Sequence, residues 1–202
     1  MSLDPYHVLD HAGLIVTFLS LFFWIGVLAL RGGFWRADQR LPDNSPALEQ
    51  WPGVICVIPA RNEAPTIGTT VKSLLEQDYP NPVSVVVVDD NSDDDTTEAA
   101  KSGAISGTGG LTVVTGKPLE EGWSGKLWAV RQGLEAAGDI DPEAPYVLLT
   151  DADITHDPES LRRLVAKAEG DGLDLVSLMV QLRCESLWEK LLVPPFIFLG
   201  LS

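Results

Sequence analysis

The sequence predicts an α/β domain, a mostly parallel sheet flanked by helices, preceded by one transmembrane helix. Three observations predict it. Between Pro52 and Val180, short β-branched runs alternate with segments of helical periodicity. Those runs are continuously apolar rather than alternating, the habit of parallel strands covered on both faces. Ahead of them, residues 13–30 form one uncharged apolar stretch.

That stretch, GLIVTFLSLFFWIGVLAL, carries only Thr17 and Ser20 as polar side chains. At about 1.5 Å per residue, about 18 residues just reach across a hydrocarbon core. A cleaved signal peptide and a buried core helix are the competing readings. Against a signal peptide, Asp4 and Asp10 stand where basic residues belong, and no small-x-small site follows. Arg31, Arg36 and Arg40 cluster behind the run, with Phe34 and Trp35 where interfacial aromatics belong. The positive-inside rule then places the following chain in the cytoplasm. The segments read as an extracytoplasmic stub (1–12), a transmembrane helix (13–30), a polar, proline-broken juxtamembrane linker (31–52), the α/β domain (53–180) and a final amphipathic to apolar segment (181–202). In that last segment Leu187, Leu191 and Leu192 recur at helical spacing before Pro194 and Pro195. It reads as an interfacial helix opening a further membrane element, or as a last core helix with an apolar tail.

Within the domain the expected strands are GVICVI (53–58), VSVVVV (83–88), LTVV (111–114), YVLLT (146–150) and DLVSLMV (174–180). Ile67, Val71, Leu74 and Leu75 mark a helix that Pro65 opens. Leu127, Val130, Arg131 and Leu134 mark a second. Asp157 as cap, Pro158 in the first position and Leu161, Leu164, Val165 and Ala168 as apolar face mark a third.

The 202 residues carry a formal charge of -15, which argues against a nucleic-acid partner. A nucleotide diphosphate remains open to an acidic chain when a cation stands between carboxylates and phosphates. The two cysteines, Cys56 and Cys184, belong to no close Cys or His cluster, so neither a zinc site nor a disulfide framework is expected.

Three polar clusters directly follow apolar runs: Pro59–Glu63, Asp89–Thr96 and Asp151–Asp153. In an open parallel sheet they would emerge at one edge, where ligands bind. Asp151 and Asp153, at i and i+2, can hold a hard cation such as Mg²⁺ or Mn²⁺ with substrate phosphates completing the shell. The plain alternative is a solvated turn leading to Asp157. Asp89 and Asp90 can accept from a base N–H or a ribose hydroxyl, or open an Asx turn into the next helix. Gly122-Trp123-Ser124-Gly125-Lys126 lacks the spacing of a phosphate loop, yet puts Lys126 at a helix start. No G-x-G-x-x-G follows the first strand, which disfavours a dinucleotide-binding domain.

Taken together, V-I-P-A-R-N-E (57–63), V-V-V-D-D-N-S-D-D-D-T (86–96), G-K-L-W-A-V-R-Q-G (125–133) and L-T-D-A-D (149–153) resemble, in order and spacing, the family 2 glycosyltransferases of GT-A fold. The W-S-G-K-L-W-A stretch and the tail Q-L-R-C-E-S-L-W-E-K-L-L-V-P-P-F resemble the hopene-associated branch of bacterial hopanoid gene clusters, related to ceramide glucosyltransferases. The resemblance implies an inverting transfer of sugar from a nucleotide-sugar, a UDP-sugar by preference, to a lipid acceptor at the bacterial inner membrane. Pro59, Ala60 and Glu63 would line the nucleoside pocket, Asp89 and Asp90 would contact uracil and ribose, and Lys126 would lie near base or diphosphate. Asp151 would stand on the ribose or metal-water side and Asp153 would bind Mg²⁺ or Mn²⁺. The family's general base belongs to a later segment, so it is expected beyond Ser202 and the chain reads as C-terminally truncated. The other readings are a nucleotide-sugar-binding module without turnover, and a ceramide-type or polyprenyl-phosphate glycosyltransferase.

Overall fold

Four strands, β1 (Val54–Ala60), β2 (Ser84–Asp89), β3 (Gly110–Thr115) and β4 (Tyr146–Leu149), form one parallel sheet in the order β3-β2-β1-β4. The computed structural model describes residues 5–30, 41–42, 48–105, 109–180 and 184–200 and, within these, the side chains of all but 5–10, 28 and 194–200. The helices are α1 (Pro5–Leu30), α2 (Ile67–Leu75), α3 (Thr96–Gly103), α4 (Gly125–Ile140), α5 (Ser160–Asp171) and α6 (Leu187–Gly200). The chain divides into two units, residues 41–180 and residues 1–40 with 181–202. The sheet with α2 to α5 is the first of these.

The continuous apolar runs of β1 and β2 are explained by burial on both faces. One face, Val54, Cys56, Ile58 and Val85, Val87, packs with Ile67, Val71 and Leu74 of α2, Ala100 of α3 and Leu161 and Val165 of α5. The other face, Ile55, Val57, Val86 and Val88, packs with Ala129 and Ala137 of α4. Each fully buried Val, Ile or Leu contributes about 1.5–3 kcal/mol, so these two strands carry the core. Cys56 is one of their buried side chains, its thiol pushed up to about 12 by burial, and both cysteines are free.

Two expectations are corrected, and the packing of a third element is explained. Residues 174–180 form no strand, and Leu175 and Met179 are exposed. Strand-like composition alone does not hold a strand; a ladder partner is needed, and this segment pairs with none of the four strands. The second expected helix is α4, in which Leu127 and Leu134 are exposed while Trp128, Ala129, Gln132, Gly133 and Ala137 are buried. The reason is close approach, since a Cβ on Gly133 would lie 2.3 Å from Val57 Cγ1. Small residues at 129, 133 and 137 let α4 lie against the sheet, and Leu would hold it off. The third helix starts later than Asp157, with Glu159 at its N-cap. Asp157 caps the preceding turn instead, its carboxylate accepting from Glu159 N, while its carbonyl takes Ser160 N and that of Pro158 takes Asp78 N. Gly172, at φ 63°, ends α5 in the left-handed region.

In the other unit α1 runs unbroken over Pro5–Leu30, and most of its described side chains are exposed. Thr17 Oγ1 donates to Gly13 O at 2.9 Å, so this hydroxyl is satisfied within the helix. Among the described residues no helix is long and apolar enough to cross a membrane. The expected run 13–30 takes in Leu28, whose side chain lies outside the described ones, as do Arg31, Phe34, Trp35, Arg36 and Arg40 altogether. Ser186 and Glu189 form a reciprocal cap at the start of α6: Glu189 N donates to Ser186 Oγ, and Glu189 Oε2 accepts from the backbone of Glu185 and Ser186. Those backbone bonds hold the Glu189 carboxyl below its ordinary value. Leu187, Trp188, Leu191 and Leu192 are exposed on this helix.

Candidate functional site

Parallel register carries all four strand ends to one edge. Ala60 stands opposite Asp89, Asp89 opposite Thr115, and Val57 opposite Leu149. The three polar clusters therefore emerge side by side. A cleft of about 370 Å³ opens among them.

Of the residues expected from sequence, Pro59, Ala60, Glu63, Asp90, Lys126, Asp151 and Asp153 line this cleft, joined by Arg61, Gly125, Ala129 and Ala152. Asp89 is not among the lining residues. Its Oδ1 accepts from Ser92 N at 2.9 Å and its Oδ2 from Thr97 Oγ1 at 2.6 Å. Burial pushes this carboxyl up, but the bonds from Ser92 and Thr97 outweigh it and hold the pKa below the ordinary value. Asp89 frames the loop after β2, whereas Asp90, one residue on, faces the cleft. Arg61 was passed over in the sequence, although it is the cation of the first polar cluster; its Nη1 lies 3.7 Å from Asp90 Oδ2.

The acidic run 93–95 has a structural explanation. It laces the loop after β1 to the loop after β2. Asp93 N donates to Asn62 Oδ1 at 2.8 Å, Asn62 N to Ser92 Oγ at 3.0 Å, and Ala64 N to Asp94 Oδ2 at 3.2 Å. The buried Thr96 hydroxyl accepts from Glu63 N at 2.8 Å and donates to Asp94. Asn62 and Asn91 both hold positive φ, 57° and 55°, a conformation Asn tolerates better than most residues. Backbone N–H groups that would otherwise be orphaned thus offset the crowding of charge, and both loops are held where they meet the cleft.

From the opposite side comes the N-terminus of α4. Gly125 allows it in, because a Cβ there would stand 3.2 Å from Asp90 Oδ2. Lys126 Nζ then reaches Asp151 Oδ1 at 2.6 Å. The approach to α4 is clamped by Trp128 Nε1, which donates to Lys117 O and Pro118 O, and by Gln132 Oε1, which accepts from Lys117 N at 2.7 Å. Arg131 lies over the Trp123 ring at 5.3 Å, closing the same corner.

The donor set at Asp151 and Asp153 suits a hard cation. It offers carboxylate oxygen only, and while Asp151 is paired with Lys126, Asp153 has no hydrogen-bond or ion-pair partner among the described residues. Among those residues no group of three or more His, Cys, Asp or Glu could hold a metal by itself. A cation here would draw its remaining ligands from substrate and water, which is the usual habit of Mg²⁺.

Residues 55–196 match Glycosyl transferase family 2. No curated protein matches the chain. Among solved structures, the mannosyltransferase PcManGT from Pyrobaculum calidifontis, in complex with GDP-Man and Mn²⁺, is similar at 28% identity over 73% of this chain and 39% of its own, with a TM-score of 0.49. S. aureus TarS 1–349, in complex with UDP-GlcNAc, is similar at 25% identity over 58% and 31%, TM-score 0.44. M. tuberculosis glucosyl-3-phosphoglycerate synthase is similar at 26% identity over 61% and 41%, TM-score 0.44. The chain thus spans well under two thirds of the length of each.

Proposed function

The chain belongs to glycosyl transferase family 2, and from that premise we propose that the cleft at the sheet edge binds a UDP-sugar together with Mg²⁺ or Mn²⁺, for transfer of the sugar to a lipid acceptor. The observation that carries this reading is the convergence of Asp90, Lys126, Asp151 and Asp153 on one cleft at the carboxyl ends of parallel strands. Asp90 accepts from a base N–H or a ribose hydroxyl, with the Arg61 guanidinium 3.7 Å away on the same wall. Pro59, Ala60 and Glu63 form the wall against the nucleoside. Lys126 turns from Asp151 toward the diphosphate, bringing positive charge where a phosphate oxygen arrives. Asp153, with Asp151 beside it, holds the cation, which when bound supplies charge that favours departure of the diphosphate. None of the residues in the cleft lining is assigned as the base that deprotonates the acceptor.

The lipid acceptor is supported by the two apolar helices and by the likeness of the W-S-G-K-L-W-A stretch and the tail to the hopene-associated branch. On this reading α1 anchors the chain in the bacterial inner membrane, with the domain on the cytoplasmic side where nucleotide-sugars are made, and exposed Leu187, Trp188, Leu191 and Leu192 rest in the interface. Calorimetry with UDP and UDP-sugars, with and without EDTA, tests the donor site: metal-dependent binding is the expected result, and equal affinity in EDTA rejects the metal assignment. Incubation in detergent with UDP-sugars and a polyol-bearing hopanoid or a ceramide, read as glycolipid product, tests the acceptor.

A further inference from the structure

We propose that Thr70 is a positioning residue for the Asp151 and Asp153 carboxylates, acting through the peptide between them. The proposal rests on the donor-site reading above and adds to it a residue on a different element. Thr70 sits in the middle of α2, fully buried among Ile67, Val71 and Leu74. A valine would fill the same volume there, so packing alone does not account for the hydroxyl. A helical threonine commonly donates back to the carbonyl four residues earlier. Here that carbonyl, Thr66 O, is 3.4 Å away, while Ala152 O is at 2.8 Å. The single hydroxyl proton goes to the nearer acceptor, 82 residues along the chain.

Ala152 is itself buried, and the carboxylates on either side of it are exposed. Its carbonyl belongs to the peptide that continues into Asp153. Holding that carbonyl sets the plane of the peptide and hence the direction from which the Asp153 side chain leaves. The same helix face holds the rest of the loop. Ser73 Oγ donates to Thr70 O at 2.8 Å and accepts from His156 N at 3.1 Å. Beyond the helix end, Gln77 donates to Asp157 O at 2.9 Å and accepts from Leu161 N at 3.0 Å. The loop from Ala152 to Leu161 therefore hangs from α2 and the residues just after it. Mg²⁺ tolerates little error in ligand placement, and groups that orient its ligands matter nearly as much as the ligands.

The test is Mn²⁺ binding to the full chain in detergent, followed by electron paramagnetic resonance, for Mn²⁺ alone and in the presence of UDP. Thr70→Val keeps the volume and removes the hydroxyl; it is expected to weaken Mn²⁺ binding about 10–100-fold, the usual effect of losing an orienting partner. Thr70→Ser restores the hydroxyl and is expected to restore binding. Val71→Ala, a fully buried neighbour on the same helix, loses stability and keeps Mn²⁺ affinity, which separates positioning from general loosening. Ser73→Ala removes the next contact from a half-buried site and is expected to weaken Mn²⁺ binding less, in the same direction; it decides the matter should Thr70→Val not fold. Unchanged affinity in Thr70→Val, or in Ser73→Ala in that case, overturns the positioning role and leaves the donor site standing. Absence of Mn²⁺ binding in the unsubstituted chain overturns both.

Discussion

Lys126 Nζ lies 2.6 Å from Asp151 Oδ1, tying the first turn of α4 to the end of β4 across the cleft. Both side chains are more than half exposed, so the pair adds little to stability, of the order of 0.2–1 kcal/mol. Its interest is chemical: the pair joins a cation and a carboxylate that both line the cleft.

Replacement of that lysine separates the two roles. Lys126→Ala is expected to shift thermal stability only slightly and to weaken UDP binding in the presence of Mg²⁺ or Mn²⁺ by several fold, since the diphosphate loses a cation. Calorimetry paired with a thermal melt reads both. A large loss of stability with unchanged UDP affinity would make the pair structural.

Of the carboxylates lining the cleft, Asp153 has no partner among the described residues, so its loss is expected to be visible only through the metal. Asp153→Asn should leave the fold intact and weaken metal-dependent UDP binding by several fold or more, because a hard anionic ligand becomes a neutral amide. The same titration in EDTA should show no difference between the two proteins. A difference that persists in EDTA contradicts the assignment.

Gly133 tests the packing of α4. A methyl group there would stand 2.3 Å from Val57 Cγ1 and 3.1 Å from Val88 Cγ2, both on central strands that have no slack. Gly133→Ala is expected to cost about 1–3 kcal/mol despite the better helix propensity of alanine. Urea denaturation measures it, and a gain in stability would show that α4 lies further from the sheet.

His156 gives the stability a pH dependence. Burial lowers its pKa below the ordinary 6.5, and Nε2 is engaged with Thr150 Oγ1 at 3.0 Å. As pH falls below about 6.5 the unfolded chain takes up the proton first, so stability present above that value is lost on acidification until the folded pKa is passed. Melting temperatures at about pH 7.5 and about pH 5.5 should differ more for the unsubstituted chain than for His156→Gln, which cannot take up the proton. Equal differences would remove His156 as the source.

Membrane placement is tested by protease accessibility in inverted inner-membrane vesicles. The anchored, cytoplasm-facing arrangement expects the domain to be digested and α1 to stay with the vesicles. A domain protected from protease, or a mature chain beginning after Leu30, overturns it.

The α/β class, the parallel sheet and the edge that carries the site were legible in the sequence because each has a one-dimensional cause. A strand buried on both faces must be continuously apolar, as Val85 to Val88 are, and polar residues directly after such a strand must emerge at its end. Asp90 and Asp151, which line the cleft, follow their strands in this way. The periodicity of Ile67, Val71, Leu74 and Leu75 likewise states which face of α2 is buried, because large apolar side chains there have one place to go.

What only the tertiary structure decided depends on distances between residues far apart in the chain. Leu127 and Leu134 mark α4 as a helix in the sequence, but the sheet accepts its Ala129, Gly133 and Ala137 face, since closeness to Val57 rewards small side chains. Of two adjacent aspartates, identical as letters, Asp89 turns to Ser92 and Thr97 while Asp90 turns to the cleft, a choice made by successive side chains leaving the chain in different directions. Nothing in the sequence marks Thr70, because its partner, the carbonyl of Ala152, is a backbone group that no sequence pattern displays. The sequence by itself determined which residues could do chemistry and at which edge of the sheet. Packing decided which of them face the cleft and what holds them there, because hydrogen-bond geometry is set only when strands, helices and loops share one core.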